Sequence, residues 1–143
     1  MWNKNNKNSI YKFVNYLDID INELILFGKS NINGRARLCI HKNNFNFFQS
    51  MIIYHDNRTI LPIHRHLKTT EDLILLHGSL EYFVYDDDFN ITKKIELNAD
   101  SELNGVTTLK NTWHNIKIIS DFIIFLENVK GSYEKNITEI RNI

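Results

Sequence analysis

The chain has 143 residues, with 17 Lys plus Arg against 17 Asp plus Glu, a balance that argues against a nucleic-acid-binding surface and against an acidic solvating tail. Its 43% hydrophobic and 12% aromatic content suffices for one core without staples, so a single globular unit is expected. The one cysteine, Cys39, has no partner for an internal disulfide. Between Leu38 and Ile40 it reads as a buried structural thiol in a reducing cytoplasm.

Residues 1–8 are polar and lack the apolar stretch of a signal peptide, and the longest apolar runs, 73–76 and 122–126, fall far short of the roughly 20 residues that span a bilayer. No membrane partner is expected. Ser9 is placed to cap a helical segment carrying Ile10, Phe13, Val14 and Leu17. Asp20-Ile21-Asn22-Glu23 has the form of a capping box ahead of Leu24, Ile25 and Phe27, and predicts a second helix ended by Gly28 or Gly34. From Arg35 the period changes to two. Strands are predicted over 35–41, 47–55, 60–66, 73–77, 80–85, 91–97, 105–109, 113–119 and 122–129, separated by Asn, Asp and Gly clusters. Strands in that number with no helix between them predict an antiparallel barrel or sandwich. The sole proline, Pro62, fits a strand start or an edge. Gly78-Ser79 reads as a tight hairpin. Asp86-Asp87-Asp88 lacks the calcium-loop spacing and reads as a solvated turn.

His64 and His66 carry the chemistry. On a strand, residues two apart share a face, so both imidazoles aim at one point while Arg65 faces away. Glu71, five residues after His66, can return to that point after a short polar turn, and His114 lies on a later strand. Three imidazoles and one carboxylate suit one divalent ion such as Zn, Fe, Mn, Ni or Co, with room left for water or substrate.

The spacing His64-x-His66-x-x-x-x-Glu71-x-x-x-x-x-x-Gly78, with Trp113-His114 supplying a later histidine, resembles the cupin motifs. Within that superfamily the chain looks like a WbuC-type cupin-fold metalloprotein. Arg35-x-Arg37, His41, Gln49, Pro62-x-His64-Arg65-His66 with Lys68, the acidic hairpin, and Glu127-x-x-Lys130-Gly131-x-Tyr133 complete the likeness, which runs from about 35 to 133. It implies an all-β double-stranded β-helix, or jelly-roll barrel, whose mouth holds a metal on His64, His66, Glu71 and His114. The helical segments read at the start make 1–34 an N-terminal helical extension, 134–143 is expected to be a C-terminal tail, and the likeness implies a homodimer. Two positions depart from the general pattern. Arg58 stands where a glycine is usual, and Leu109-Lys110-Asn111 replaces a Pro-x-Gly. Both shape turns rather than the ligand set.

The family's gene context implies activated-sugar chemistry in bacterial O-antigen or capsule biosynthesis, on a small sugar-derived or anionic molecule. Metal-dependent isomerisation, epimerisation or elimination fits that role. The alternatives are a non-catalytic metal-dependent sugar-binding module and an Fe(II)-dependent cupin dioxygenase. Arg35, Arg37 and His41 share one strand face and form either a receptor for carboxylate or phosphate or an exposed surface. Lys68, between the ligands, is placed to reach either substrate or solvent. Tyr133 is a candidate acid or base, or else a hydrogen-bonded edge phenol. Trp113 is expected to pack beside the metal, Arg65 to form a salt bridge, His77 to be a turn residue rather than a fifth ligand, and His55 to be a polar surface residue or else to line the pocket. Phe45, Phe47 and Phe48, like Phe122, Ile124 and Leu126, read as core or subunit interface.

Overall fold

Asp20 opens α1 (Ile21–Ser30), the one helix among the described residues, which are 1–5, 8–14, 19–133 and 137–141 of this computed structural model. Its carboxylate accepts from the N–H groups of Asn22 and Glu23, satisfying two donors that a helix start leaves open. Glu23 does not close the box back onto Asp20. It instead accepts from the Trp2 indole and the Lys12 ammonium, tying the helix to the N-terminal strands. Gly28 lies inside the helix rather than beyond its end, and it is a glycine there because a side chain would enter the ring of Tyr54. The turn that follows is made by Gly34, at φ 59°.

The helix expected after Ser9 is not formed. Ile10–Phe13 is a strand, β2, which pairs with β1 (Asn3–Lys4) and lies parallel to β3 (Arg35–Cys39). Four residues are too few for helical and strand periods to differ, and the backbone bonds offered by β3 decide. Leu17 lies outside the described residues.

All nine strands expected after residue 34 are present. β4 (Phe48–Asp56), β11 (Phe122–Lys130), β6 (Glu71–His77) and β9 (Gly105–Thr108) extend the first sheet in the order β1-β2-β3-β4-β11-β6-β9. The second sheet runs β12-β5-β10-β7-β8, comprising β12 (Thr138–Ile140), β5 (His64–His66), β10 (Trp113–Ile118), β7 (Ser79–Tyr85) and β8 (Ile91–Asn98). Every pair except β2–β3 is antiparallel. This is the cupin jelly roll. β5 begins after Pro62, which has no N–H to give a ladder.

The main core lies between the sheets and contains Ile53, Leu75, Leu80, Tyr82, Ile123 and Phe125. A second cluster, with Leu24, Leu38, Ile52, Tyr54 and Ile124, fills the space beneath α1. β4 and β11 are therefore apolar on both faces, which accounts for the unbroken run 122–126. Phe45, Phe47 and Phe48 are 71%, 68% and 55% exposed, so they are not core. Cys39 is buried, and burial pushes its thiol up to about 11, which makes it unreactive.

Candidate metal centre

Strand pairing brings the four predicted ligands together from both sheets. β5 and β10 set His64 directly opposite His114, and period-two alternation puts His66 on the same face as His64. One ring nitrogen from each of the three lies within 4.8 Å of the others. Glu71, the first residue of β6, reaches in from the other sheet, with Oε1 2.9 Å from His66 Nε2 and Oε2 3.9 Å from His114 Nε2.

Each imidazole is fixed from behind. His64 Nδ1 is 2.9 Å from the Pro62 carbonyl and His114 Nδ1 2.8 Å from that of Thr112. A carbonyl only accepts, so both Nδ1 atoms carry the proton and Nε2 is left basic. His66 Nδ1 is 2.9 Å from Thr138 Oγ1, a residue of the last strand. Outer contacts of this kind set the tautomer and orientation of histidine ligands. Neutral imidazoles plus one carboxylate, already aimed and braced, fit a divalent borderline ion.

Electrostatics agree. Burial holds the His114 ring down to about 4, aided by the charge of His64, so it is neutral and available at pH 7. Burial pulls Glu71 upward, but the hydrogen bond from His66 and the surrounding imidazoles outweigh it and keep the carboxylate ionised. Glu127 behaves differently. Burial and the nearby Glu71 charge push it up to about 7, against the pull of Arg37 and His66.

These side chains line a cavity of about 340 Å³ that also takes in Arg35, Arg37, Glu127 and Tyr133. Tyr133 is 53% exposed, at the rim. Two predicted binding residues stand elsewhere. β3 ends at Cys39, so His41 does not continue its face. Its Nδ1 lies 3.0 Å from the Ser50 carbonyl, its ring packs edge-on against Phe13, and it is not in the cavity lining. Lys68 is exposed and outside the lining.

Trp113 alternates away from His114. It is held between Arg65, 4.5 Å from its ring, and Phe89, rather than beside the predicted ligands. Arg65 forms the expected salt bridge, at 2.7 Å to Glu139, and reaches Asp87 of the acidic turn at 3.5 Å. His77 is exposed and stacks on Phe122. His55 is not a surface residue: it is 8% exposed and lines the cavity. Its position two after Ile53 and four after Met51, both core residues, is the period that gives it away. Sequence reasoning also missed Ser9 and Tyr82, whose ring lies flat along His114.

Residues 19–97, more than half of the chain, match the model of a domain of unknown function, DUF6016. The chain belongs to this family. No curated protein matches it in sequence. Among solved structures, the DUF6016 chain is similar to CapF with the inhibitor 3-isopropenyl-tropolone, at TM-score 0.60 and 16% identity over 75% of this chain and 32% of that one. It is also similar to the oxalate decarboxylase formate complex of Lactobacillus farciminis, at TM-score 0.53 and 18% identity, covering 66% of this chain and 27% of that one. A third is a putative sugar phosphate isomerase from Acidithiobacillus ferrooxidans, at TM-score 0.52 and 10% identity, covering 66% of this chain and 56% of that one. The chain thus spans only part of the length of each, and at these identities the likeness establishes the cupin fold alone. Among the described residues, no helix is long and apolar enough to cross a membrane.

Proposed function

We propose that this chain is a WbuC-type cupin that holds one divalent metal ion on His64, His66, Glu71 and His114. On this reading it acts, as a cytoplasmic homodimer, on an activated sugar or similar anionic small molecule of bacterial surface polysaccharide biosynthesis. The observation that carries the reading is the bracing of all three imidazoles through Nδ1 around one point shared with Glu71. Such bracing fixes the ring orientations and aims the three rings at one point. One solved relative of the fold is described as a capsular polysaccharide assembling protein of Staphylococcus aureus, and another as a putative sugar phosphate isomerase, which supports the substrate class.

A bound divalent ion supplies Lewis-acid polarisation of a carbonyl or hydroxyl oxygen. The chain's own residues do the rest. Glu127, in the cavity lining, holds a proton near neutral pH and is poised to give or take it, and Tyr133 stands at the rim as a second donor. Arg35 and Arg37 orient an anionic ligand. A titratable carboxyl beside the ligand set favours isomerase, epimerase or lyase chemistry over a non-catalytic binding module.

Metal analysis of the full chain tests the site. About one equivalent per chain is expected, falling below about a tenth in a His64→Ala/His66→Ala variant. Unchanged metal content in that variant would sink the ligand assignment. Iron with oxygen uptake on adding a substrate would move the protein to the dioxygenases.

A further inference from the structure

Among the described residues, five buried side-chain polar atoms lack a hydrogen-bond partner: Ser9 Oγ, Arg35 Nε, Arg37 Nε, and both ring nitrogens of His55. All four residues line the cavity that contains the metal ligands. Folded proteins pair nearly all such groups, and leaving one buried and unpaired costs about 1–3 kcal/mol. Scattered orphans would be defects of packing. Orphans confined to one cavity point to a ligand.

Strand register explains how they meet. β3 and β4 set Arg35 opposite His55. β2 sets Ile10 opposite Ala36, so Ser9 stands level with Arg35, and Arg37 follows two residues on, on the same face. The row thus crosses three neighbouring strands. Ser9 is 1% exposed and His55 8% exposed, so bulk water does not satisfy them.

Their chemistry specifies the sign of the ligand. A hydroxyl and two guanidinium N–H groups donate. His55, kept neutral by its burial and by the two arginines, adds one more ring N–H. Neither arginine lies within salt-bridge distance of a carboxylate among the described residues. Arg35 has one partner, the Ile60 carbonyl at 2.7 Å. Glu127 feels the charge of Arg37, but burial and Glu71 outweigh it and push that carboxyl up to about 7. An uncharged sugar would leave two half-buried guanidinium groups without a counter-charge, whereas an oxyanion neutralises them through forked, charge-assisted bonds.

We propose that Ser9, Arg35, Arg37 and His55 form an oxyanion subsite that seats a carboxylate or phosphoryl group of the molecule held at the metal centre. Ser9, which leads into β2, makes the N-terminal segment part of the binding site rather than an accessory to the barrel. This rests on reading the cavity as a small-molecule site, and it names the charged group by which the substrate is held.

Calorimetric titration of the metal-free full chain tests the subsite apart from the metal. The probes are inorganic phosphate, acetate, and uncharged acetamide as control. At least one of the two anions is expected to bind about tenfold or more tightly than acetamide, and the tighter of the two names the group as phosphoryl or carboxylate. Arg37→Gln should weaken that binding about tenfold or more, and Ser9→Ala about threefold. Circular dichroism checks that each variant is folded. If Arg37→Gln is not, Ser9→Ala, which removes a single hydroxyl, decides alone. Failure of both anions to bind the wild type, or wild-type affinity in the folded variants, overturns the proposal. Metal content, read separately, keeps the two readings distinct: anion binding by a chain that never retains metal would leave the subsite standing and remove the metal centre.

Discussion

Two walls of one cavity are built on opposite terms. Around His64, His66 and His114 every Nδ1 has a partner, supplied by Pro62, Thr112 and Thr138. Around Ser9, Arg35, Arg37 and His55 the polar atoms that matter have none. The first wall is finished before a ligand arrives and presents the basic Nε2 atoms of His64 and His114 beside the His66–Glu71 pair. The second is left open and presents donors. The proposed metal centre and the proposed oxyanion subsite would thus share a single volume of about 340 Å³. The braced wall should therefore lose function when its props are removed, and the open wall should gain stability when its orphans are removed.

Acid provides the largest test of the braced wall. His114 titrates near 4 in the folded chain against 6.5 for an ordinary histidine, chiefly through burial. The folded state therefore resists protonation. Stability is whole above pH 6.5 and falls as pH drops toward 4, by about 3 kcal/mol in all. His55, driven well below its ordinary value by burial and by Arg35 and Arg37, adds to the same limb. Glu127 works in the opposite sense. Raised from 4.5 to about 7 by burial and by Glu71, it contributes stability that is present below pH 4.5 and lost as pH rises through 7. In the metal-free protein these opposing effects cancel only in part between 4.5 and 6.5, because His55 leaves the histidine side the larger. Glu127→Gln removes one of them, so urea unfolding of that metal-free variant should show the acid limb bare, with a fall of at least about 3 kcal/mol from pH 6.5 to 4. A flat profile would mean that His114 is not a buried neutral imidazole.

Thr138→Val is the next largest change. It removes the hydroxyl 2.9 Å from His66 Nδ1 and keeps the shape of the side chain. Loss of an outer-shell partner of this kind lowers metal affinity about 10–100-fold. Competition against a chelator of known affinity should show that weakening with the fold intact. Wild-type affinity would show that His66 is oriented by Glu71 alone.

Much of this arrangement was legible in the sequence, for reasons that also mark where legibility stopped. The nine strands from Arg35 onward announce themselves by alternation broken at Asn, Asp and Gly. His64, His66 and Glu71 lie within one short motif whose spacing encodes the strand–turn–strand that gathers them. Ser9 does not share that advantage. A serine before an apolar run has the form of a helix cap, and only the parallel bonding of Ile10–Phe13 to β3 makes it a cavity residue. His55 beside Asp56 looks like surface, although its phase with Met51 and Ile53 carries the correct answer. His41 fails in the reverse direction, because the strand it was placed on stops two residues earlier. Thr138 could not be read at all, since its partner is 72 residues away in a strand three residues long.

The open wall predicts a smaller effect of unusual sign. Arg37→Met keeps much of the length and volume of the side chain while deleting a buried donor that has no partner. Most buried substitutions destabilise, but removing an unpaired polar group leaves no acceptor stranded and spares its desolvation cost. The metal-free, anion-free variant should therefore unfold about 1 kcal/mol later than wild type, a rise of roughly 3 °C for a chain of this size. Adding inorganic phosphate should reverse the ranking. By mass action an anion that binds only the folded state stabilises the wild type, and the variant has lost its seat. Paired thermal scans with and without phosphate separate the alternatives. A destabilisation of several kcal/mol in both would show that Arg37 is held by a partner within the protein. Its wall would then be structural, and the contrast between the two sides of the cavity would be one of packing rather than of ligand charge.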